Sequence, residues 1–243
     1  PDPAKHAAAH ACGLRVMELV RAGISARRFV TPESVRNATV AANATAGSTN
    51  TVLHMLALAR EAGFHFDLDA FDELSRRTPV IADLKPGGRF MAPDMHAAGG
   101  SRLLGQRLME AGLITDQPTV SGKSLFEEFS SAQETPGQEV LLPIEKPVKA
   151  RGGYGSVYGN IAPDGCVVKL AGHEALRFEG TARVFDGEDA AFRAVQHRRI
   201  VAGDVVVIRY EGPVGGPGMR EMLAVTAALL GQGLGGAVAL LTD

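Results

Sequence analysis

The stretch Arg209-Tyr-Glu-Gly-Pro-Val-Gly-Gly-Pro-Gly-Met-Arg-Glu-Met222 constrains this chain more than any other. Four glycines and two prolines fall within it, between the apolar run Val205-Val-Val-Ile208 and a helical pattern that begins near Met219. Glycine loses more backbone freedom on folding than any other residue, and proline continues neither a helix nor a central strand. Such a run is kept where backbone must lie close to a ligand or make a special turn. Glu221 falls in the first turns of the helix that follows, where the helix dipole alone favours a carboxylate. The run is not a dinucleotide fingerprint, because Gly-x-Gly-x-x-Gly with a downstream acid is missing. Gly122-Lys-Ser124 lacks the upstream glycine of a phosphate-binding loop, and no Gly-x-Ser-x-Gly elbow occurs.

The first half reads as helices. Asp2-Pro3 and Thr31-Pro32 are cap-plus-proline starts, Glu33 suits the first turn, and Gly23 follows the end of the first helix. A third helix begins at Ser48 or Thr49 and carries Val52, Leu53, Leu56 and Ala59 on one face, with Gly63 after its end. A short fourth covers Leu68 to Ser75. The run Thr78-Pro-Val-Ile-Ala-Asp-Leu84 is expected to be a buried parallel strand, and a helix is expected from about Ala97 to Ala111. After the polar stretch Ser130 to Pro143, β-branched runs dominate, at Val167 to Leu170, Leu176 to Phe185 and Val205 to Tyr210, with one helix at Glu188 to His197. A last helix to Leu230 and a buried strand, Gly236 to Leu241, close the pattern. The fold class expected is α/β.

Composition excludes some functions. A net charge of -2 gives no electrostatic case for binding nucleic acid or an anionic membrane. No apolar run reaches the roughly 18 residues of a spanning helix. With only 5% aromatic residues and no Trp, the core must rest on Ala, Val and Leu. Cys12 and Cys166 lack metal-type spacing and are expected to be buried structural thiols, with the cytoplasm as the compartment.

Several polar clusters are candidates for a site. Gly47-Ser-Thr-Asn50 stands at a helix start, where Ser48 and Thr49 serve either as ordinary caps or, with outward N–H groups, as an anion site. Asp83 and Lys85 follow the expected strand, at the end where α/β sheets collect ligands; a solvated charge pair explains them equally well. His96, with Asp94 before it, is a general acid/base by type or a structural histidine.

These blocks occur together in one family. The run Pro217-Gly-Met-Arg-Glu-Met222 resembles a signature of the dihydroxy-acid dehydratase / 6-phosphogluconate dehydratase family. Ala46-Gly-Ser-Thr-Asn50 with Val52-Leu-His-Met-Leu56, Asp83-Leu-Lys-Pro-Gly-Gly88 with Asp94-Met-His-Ala-Ala-Gly-Gly100, Thr119-Val-Ser-Gly-Lys-Ser124, and Tyr158-Gly-Asn-Ile-Ala-Pro-Asp-Gly165 resemble further blocks of it, in the family's order.

The resemblance implies a hydro-lyase that converts 2,3-dihydroxy acids to 2-oxo acids. Branched acids of amino-acid biosynthesis are the first choice of substrate, and sugar acids such as aldonates or phosphogluconate the alternative. It implies Glu221 as a magnesium ligand, with Ser48, Thr49, Lys85 and His96 lining the substrate site. It also implies an iron–sulfur cluster whose cysteine motifs are not among these residues, and a catalytic serine beyond Asp243. The partners implied are a small hydroxy acid, no nucleic acid and no membrane, in a homodimer or homotetramer. For the fold it implies residues 1–135 as part of an α/β cluster-binding domain, and 136–243 as a β-barrel-like, swivelling-type domain with flanking helices. The chain is accordingly expected to be an internal fragment, inactive alone; a non-catalytic remnant is a further reading. An unrelated sugar-phosphate binder using the Gly-Ser-Thr-Asn turn is the last.

Overall fold

The computed structural model describes residues 3–85, 87–170, 177–212 and 222–243. They form two compact units, Pro1–His173 and Glu174–Asp243. Among them no helix is long and apolar enough to cross a membrane.

The first unit is mainly helical: α1 (Ala4–Arg21), α2 (Pro32–Thr45), α3 (Asn50–Ala62), α4 (Leu68–Arg77), α5 (Ala92–Ala98), α6 (Gly100–Glu110) and α7 (Leu125–Phe129), followed by a hairpin of β1 (Tyr154–Gly159) and β2 (Ala162–Lys169). The α2 start is as the sequence indicates. The Thr31 hydroxyl accepts the Ser34 N–H, the Ser34 hydroxyl accepts the Thr31 N–H, and Pro32 opens the first turn. Gly63 ends α3 in the left-handed conformation at φ 88°, which an L side chain adopts only with strain. The core gathers Val40 and Ala44 of α2, Leu74 of α4, Ile81, Leu103 and Leu108 of α6, and Leu141. Burying one such side chain stabilises by roughly 1.5–3 kcal/mol.

Three expectations are corrected. The run at 78–84 is buried, with Ile81 fully so, but it is not a parallel strand. It makes antiparallel bridges to the segment that follows the polar stretch, Val80 to Lys149 and Ala82 to Leu141. An apolar run fixes burial, not the direction of its neighbour. The helix expected at 97–111 is two helices broken at Gly99, whose φ of 136° only glycine takes readily and where a Cβ would lie 2.7 Å from the Gln133 carbonyl oxygen. Cys12 and Cys166 are both exposed. Cys12 lies on α1, which buries no residue, and Cys166 lies on the outer face of the hairpin.

The second unit alternates strand and helix: β3 (Thr181–Asp186), α8 (Glu188–Gln196), β4 (Asp204–Arg209), α9 (Leu223–Gly231) and β5 (Ala239–Thr242). The strands pair in parallel in the order β3-β4-β5. Its core joins Ala191, Ala194 and Val195 of α8 with Val206 and Ile208 of β4 and Val225 and Leu229 of α9. The fold is thus mixed α/β, and among the described residues no sheet closes into a barrel.

Candidate functional site

The turn between α2 and α3 is built from below by two residues of the hairpin. α2 ends at Ala46, a left-handed non-glycine residue at φ 48°, and Gly47 then approaches so closely that a Cβ there would sit 3.2 Å from the Tyr154 hydroxyl. Tyr154 is fully buried, edge-on to Phe71 at 5.7 Å between ring centroids. Its hydroxyl donates to the Ser48 carbonyl at 3.1 Å, and the Lys169 ammonium donates to the Gly47 carbonyl at 2.9 Å. Burial pushes the Tyr154 phenol well above its usual range, so it stays a neutral donor. Three amides of the α3 start are used within the turn: Asn50 N–H donates to the Ser48 hydroxyl, Thr51 N–H to the Ser48 carbonyl and Val52 N–H to the Thr49 carbonyl. Ser48 is exposed and Thr49 half-buried.

The α2 end also holds the next segment. The Ala44 carbonyl accepts the N–H groups of Ile81 and Ala82 at 2.9 and 3.1 Å, which ties the start of the 80–85 segment to the last turn of α2. Asp83, 8% exposed, then accepts the Arg89 backbone N–H at 3.0 Å and its Nε at 2.5 Å. That bond and the Glu139 contact hold the Arg89 guanidinium above its usual pKa. The ion partner of Asp83 is therefore Arg89, while Lys85 is exposed at the tip of the loop. Gly88 is required here, since a Cβ would meet Asp83 backbone at 2.5 Å. His96 is exposed on α5; Asp94 is engaged with the Met91 N–H at 2.8 Å, as a helix cap. Ser48 and Thr49 thus share one turn, Lys85 lies at the tip of a loop whose start is bonded to α2 at Ala44, and His96 stands on a separate helix. Glu221 lies outside the described residues.

In the second unit polar side chains collect at the carboxyl ends of the parallel strands, the end where open α/β sheets bind ligands. Arg209 pairs with Asp186 at 2.7 Å, which raises the Arg209 pKa. The Glu211 carboxylate accepts the Glu188 N–H at the start of α8 at 2.6 Å. The Asp243 carboxylate accepts three successive backbone N–H groups, from Tyr210, Glu211 and Gly212, at 2.9, 3.0 and 3.1 Å. These bonds fix the backbone where the Gly/Pro run leaves β4, and Tyr210 is held there at φ 67°. Sequence reasoning overlooked Tyr154, Lys169 and Asp243. Tyr154 and Lys169 pair across the β1–β2 hairpin, and neither that pairing nor the contact with the Ser48 turn has a local mark in the sequence.

Among the described residues no three His, Cys, Asp or Glu side chains come together to hold a metal.

Comparison with known proteins adds what geometry alone cannot. Residues 1–128 match the family profile "Dihydroxy-acid/6-phosphogluconate dehydratase N-terminal", and residues 139–243 match the corresponding C-terminal profile. A protein of Koribacter versatilis called dihydroxy-acid dehydratase is 53% identical over 240 residues, covering 98% of this chain and 42% of the relative. Proteins of the same name from Roseiflexus sp. and Thermus thermophilus are 48% and 54% identical, over 100% and 88% of this chain and 44% and 39% of their own lengths. The chain belongs to the dihydroxy-acid/6-phosphogluconate dehydratase family. It spans less than half the length of these relatives.

Proposed function

We propose that the polypeptide carrying this chain is a hydro-lyase that removes water from a 2,3-dihydroxy acid to give a 2-oxo acid. The branched acids of amino-acid biosynthesis are the first substrates. The observation that carries this reading is the 53% identity to a protein named dihydroxy-acid dehydratase over 98% of the chain. A sugar-acid substrate is the alternative, because the matching profiles are named for 6-phosphogluconate dehydratase as well. The enzyme works in the cytoplasm as a homodimer or homotetramer. The 243 residues alone do not turn over.

In this reading Glu221 is a magnesium ligand, and Ser48, Thr49, Lys85 and His96 line the substrate site. Support for the Ser48 turn comes from its rigid seat on Tyr154 and Lys169. Its amides at Asn50, Thr51 and Val52 are already engaged, so in this reading the Ser48 and Thr49 side chains take the larger part in recognising the acid. Among the described residues no three His, Cys, Asp or Glu side chains come together, so in this reading the iron–sulfur cluster and magnesium draw on ligands outside them.

Residues 136–243 form a β-barrel-like domain in this reading, with the boundary near 135 falling between the two family profiles, although residues up to His173 group with the first compact unit. What supports it is the second sheet, whose far face is apolar and uncovered. Ala182, Val184 and Leu241 are exposed there, and Val205, Val207 and Ala239 half-buried. All-parallel sheets occur almost only with both faces covered, so more strands or helices belong on that side.

The test is 2-oxo acid release by the full-length gene product from a branched 2,3-dihydroxy acid and, in parallel, from gluconate-type acids. Turnover of the branched acid is expected. Turnover of sugar acids alone would move the assignment to the alternative, and turnover of neither would remove both.

A further inference from the structure

Two successive carbonyls of the α2–α3 turn accept from a single cross-strand pair of the hairpin. Tyr154 and Lys169 stand directly opposite each other on β1 and β2. Opposed residues of an antiparallel pair project from the same face. From that face the Lys169 ammonium donates to the Gly47 carbonyl at 2.9 Å and the Tyr154 hydroxyl to the Ser48 carbonyl at 3.1 Å. Both donors lie in the stretch matched by the C-terminal family profile, and both acceptors in the stretch matched by the N-terminal one.

The end of the hairpin that carries the pair is fixed. The Ser75 hydroxyl of α4 donates to the Tyr154 carbonyl at 2.6 Å, and the Gly152 N–H donates to the Ser75 carbonyl at 2.8 Å. The Tyr154 ring packs edge-on against Phe71 of the same helix. The turn has reason to move. Ala46 is held at φ 48°, in the left-handed region that costs an L residue free energy, and Ser48 is exposed. A side chain binds a ligand only in the fraction of molecules that hold it in place, and apparent affinity falls in proportion to that fraction. A change in that fraction alters binding and leaves the chemical step of the bound ligand alone.

We propose that Tyr154 and Lys169 are positioning residues for the substrate. They hold the Gly47–Ser48 backbone so that the Ser48 and Thr49 side chains meet the acid, and they act on its affinity rather than its turnover; this rests on the reading of the Ser48 turn as part of a dehydratase substrate site.

The test is steady-state kinetics of the full-length gene product, with whichever acid it dehydrates, in Tyr154→Phe, Lys169→Met, Lys169→Arg and Ser48→Ala. Tyr154→Phe keeps the ring on Phe71 and removes the hydroxyl alone. It should raise KM about fivefold, the worth of one hydrogen bond, with kcat within about twofold of wild type. Lys169→Met should raise KM at least as far, and Lys169→Arg, which keeps a cationic donor, should restore most of the loss. Wild-type KM in Tyr154→Phe and Lys169→Met, beside a raised KM in Ser48→Ala, would overturn the positioning role and leave the reading of the turn standing. A fall in kcat or in thermal stability with KM unchanged would also overturn it, leaving the pair a structural part of the core. Wild-type KM in Ser48→Ala, or dehydration of neither class of acid, would remove the reading of the turn and the positioning role together. Hydrogen exchange of the Thr51 and Val52 amides, which are bonded within the turn, reads the hold without substrate. These amides should exchange about fivefold faster in Tyr154→Phe, and rates equal to wild type would count against the positioning role.

Discussion

The Asp243 carboxylate accepts the backbone N–H of Glu211 at 3.0 Å, and takes the amides on either side of it as well. The residue at the end of the last strand thereby closes onto the exit of β4, where the Gly/Pro run starts. Burial alone would raise the Asp243 pKa, but the Glu211, Tyr210 and Gly212 amides outweigh it and hold the group below its ordinary 3.8.

Asp243→Ala should therefore destabilise the second unit by about 0.5–1.5 kcal/mol at pH 7, the net worth of hydrogen bonds at an exposed carboxylate. A group whose folded pKa is lowered stabilises fully above its unfolded value and loses that contribution as pH falls through the folded value. The gap between wild type and variant should thus be constant from pH 7 to about 5 and shrink below the ordinary 3.8. Thermal unfolding across that range checks it; a gap that widens in acid would contradict the assignment.

Two glycines within helices should respond in opposite directions. A Cβ at Gly105 of α6 would lie 2.3 Å from the Phe129 ring, while one at Gly13 of α1 meets nothing within 4 Å. Gly105→Ala should cost about 1–3 kcal/mol by overpacking, and Gly13→Ala should stabilise the 243-residue chain by about 0.5–1 kcal/mol through helix propensity. Denaturant titration of both variants reads the signs directly.

Asp72, 5% exposed, binds the hairpin to α4. It accepts from Arg76 at 2.6 Å, from Arg151 at 2.7 Å and from the Ser156 backbone N–H at 3.2 Å. Asp72→Ala should cost about 2 kcal/mol, below the range for fully buried pairs because both arginines reach solvent. The loss should be largest in hydrogen-exchange protection of β1, next to Tyr154; uniform loss across the unit would show that Asp72 does not act through the hairpin.

Much of this architecture is legible in the sequence because its causes are local. Thr31-Pro32 marks the α2 start with a cap that bonds three residues away, Gly63 ends α3, and the Glu188 to Gln196 helix follows its own apolar spacing. What escaped reading depends on distant partners. Gly99 breaks a helical pattern because the Gln133 carbonyl crosses there, and the 80–84 run bridges residues 141 and 149 rather than a parallel neighbour. Cys12 is exposed because an apolar stripe on α1 does not by itself bring a covering neighbour, and Cys166 is exposed because it lies on the outer face of the hairpin. Of the candidate site, Ser48, Thr49, Lys85 and His96 were found as residue types at helix starts and strand ends. Tyr154 and Lys169, which donate to the Ser48 and Gly47 carbonyls, lie more than a hundred residues away in sequence.

The dehydratase account meets its most direct test in magnesium-dependent 2-oxo acid release by the full-length polypeptide, wild type against Glu221→Gln, with the 243-residue chain as control. The account predicts turnover of a 2,3-dihydroxy acid by wild type and none by the short chain. In the variant the magnesium requirement should rise at least about tenfold, since loss of one carboxylate from a hard-cation site weakens it strongly. A variant with the wild-type magnesium dependence, or a full-length protein that dehydrates no such acid, would contradict it.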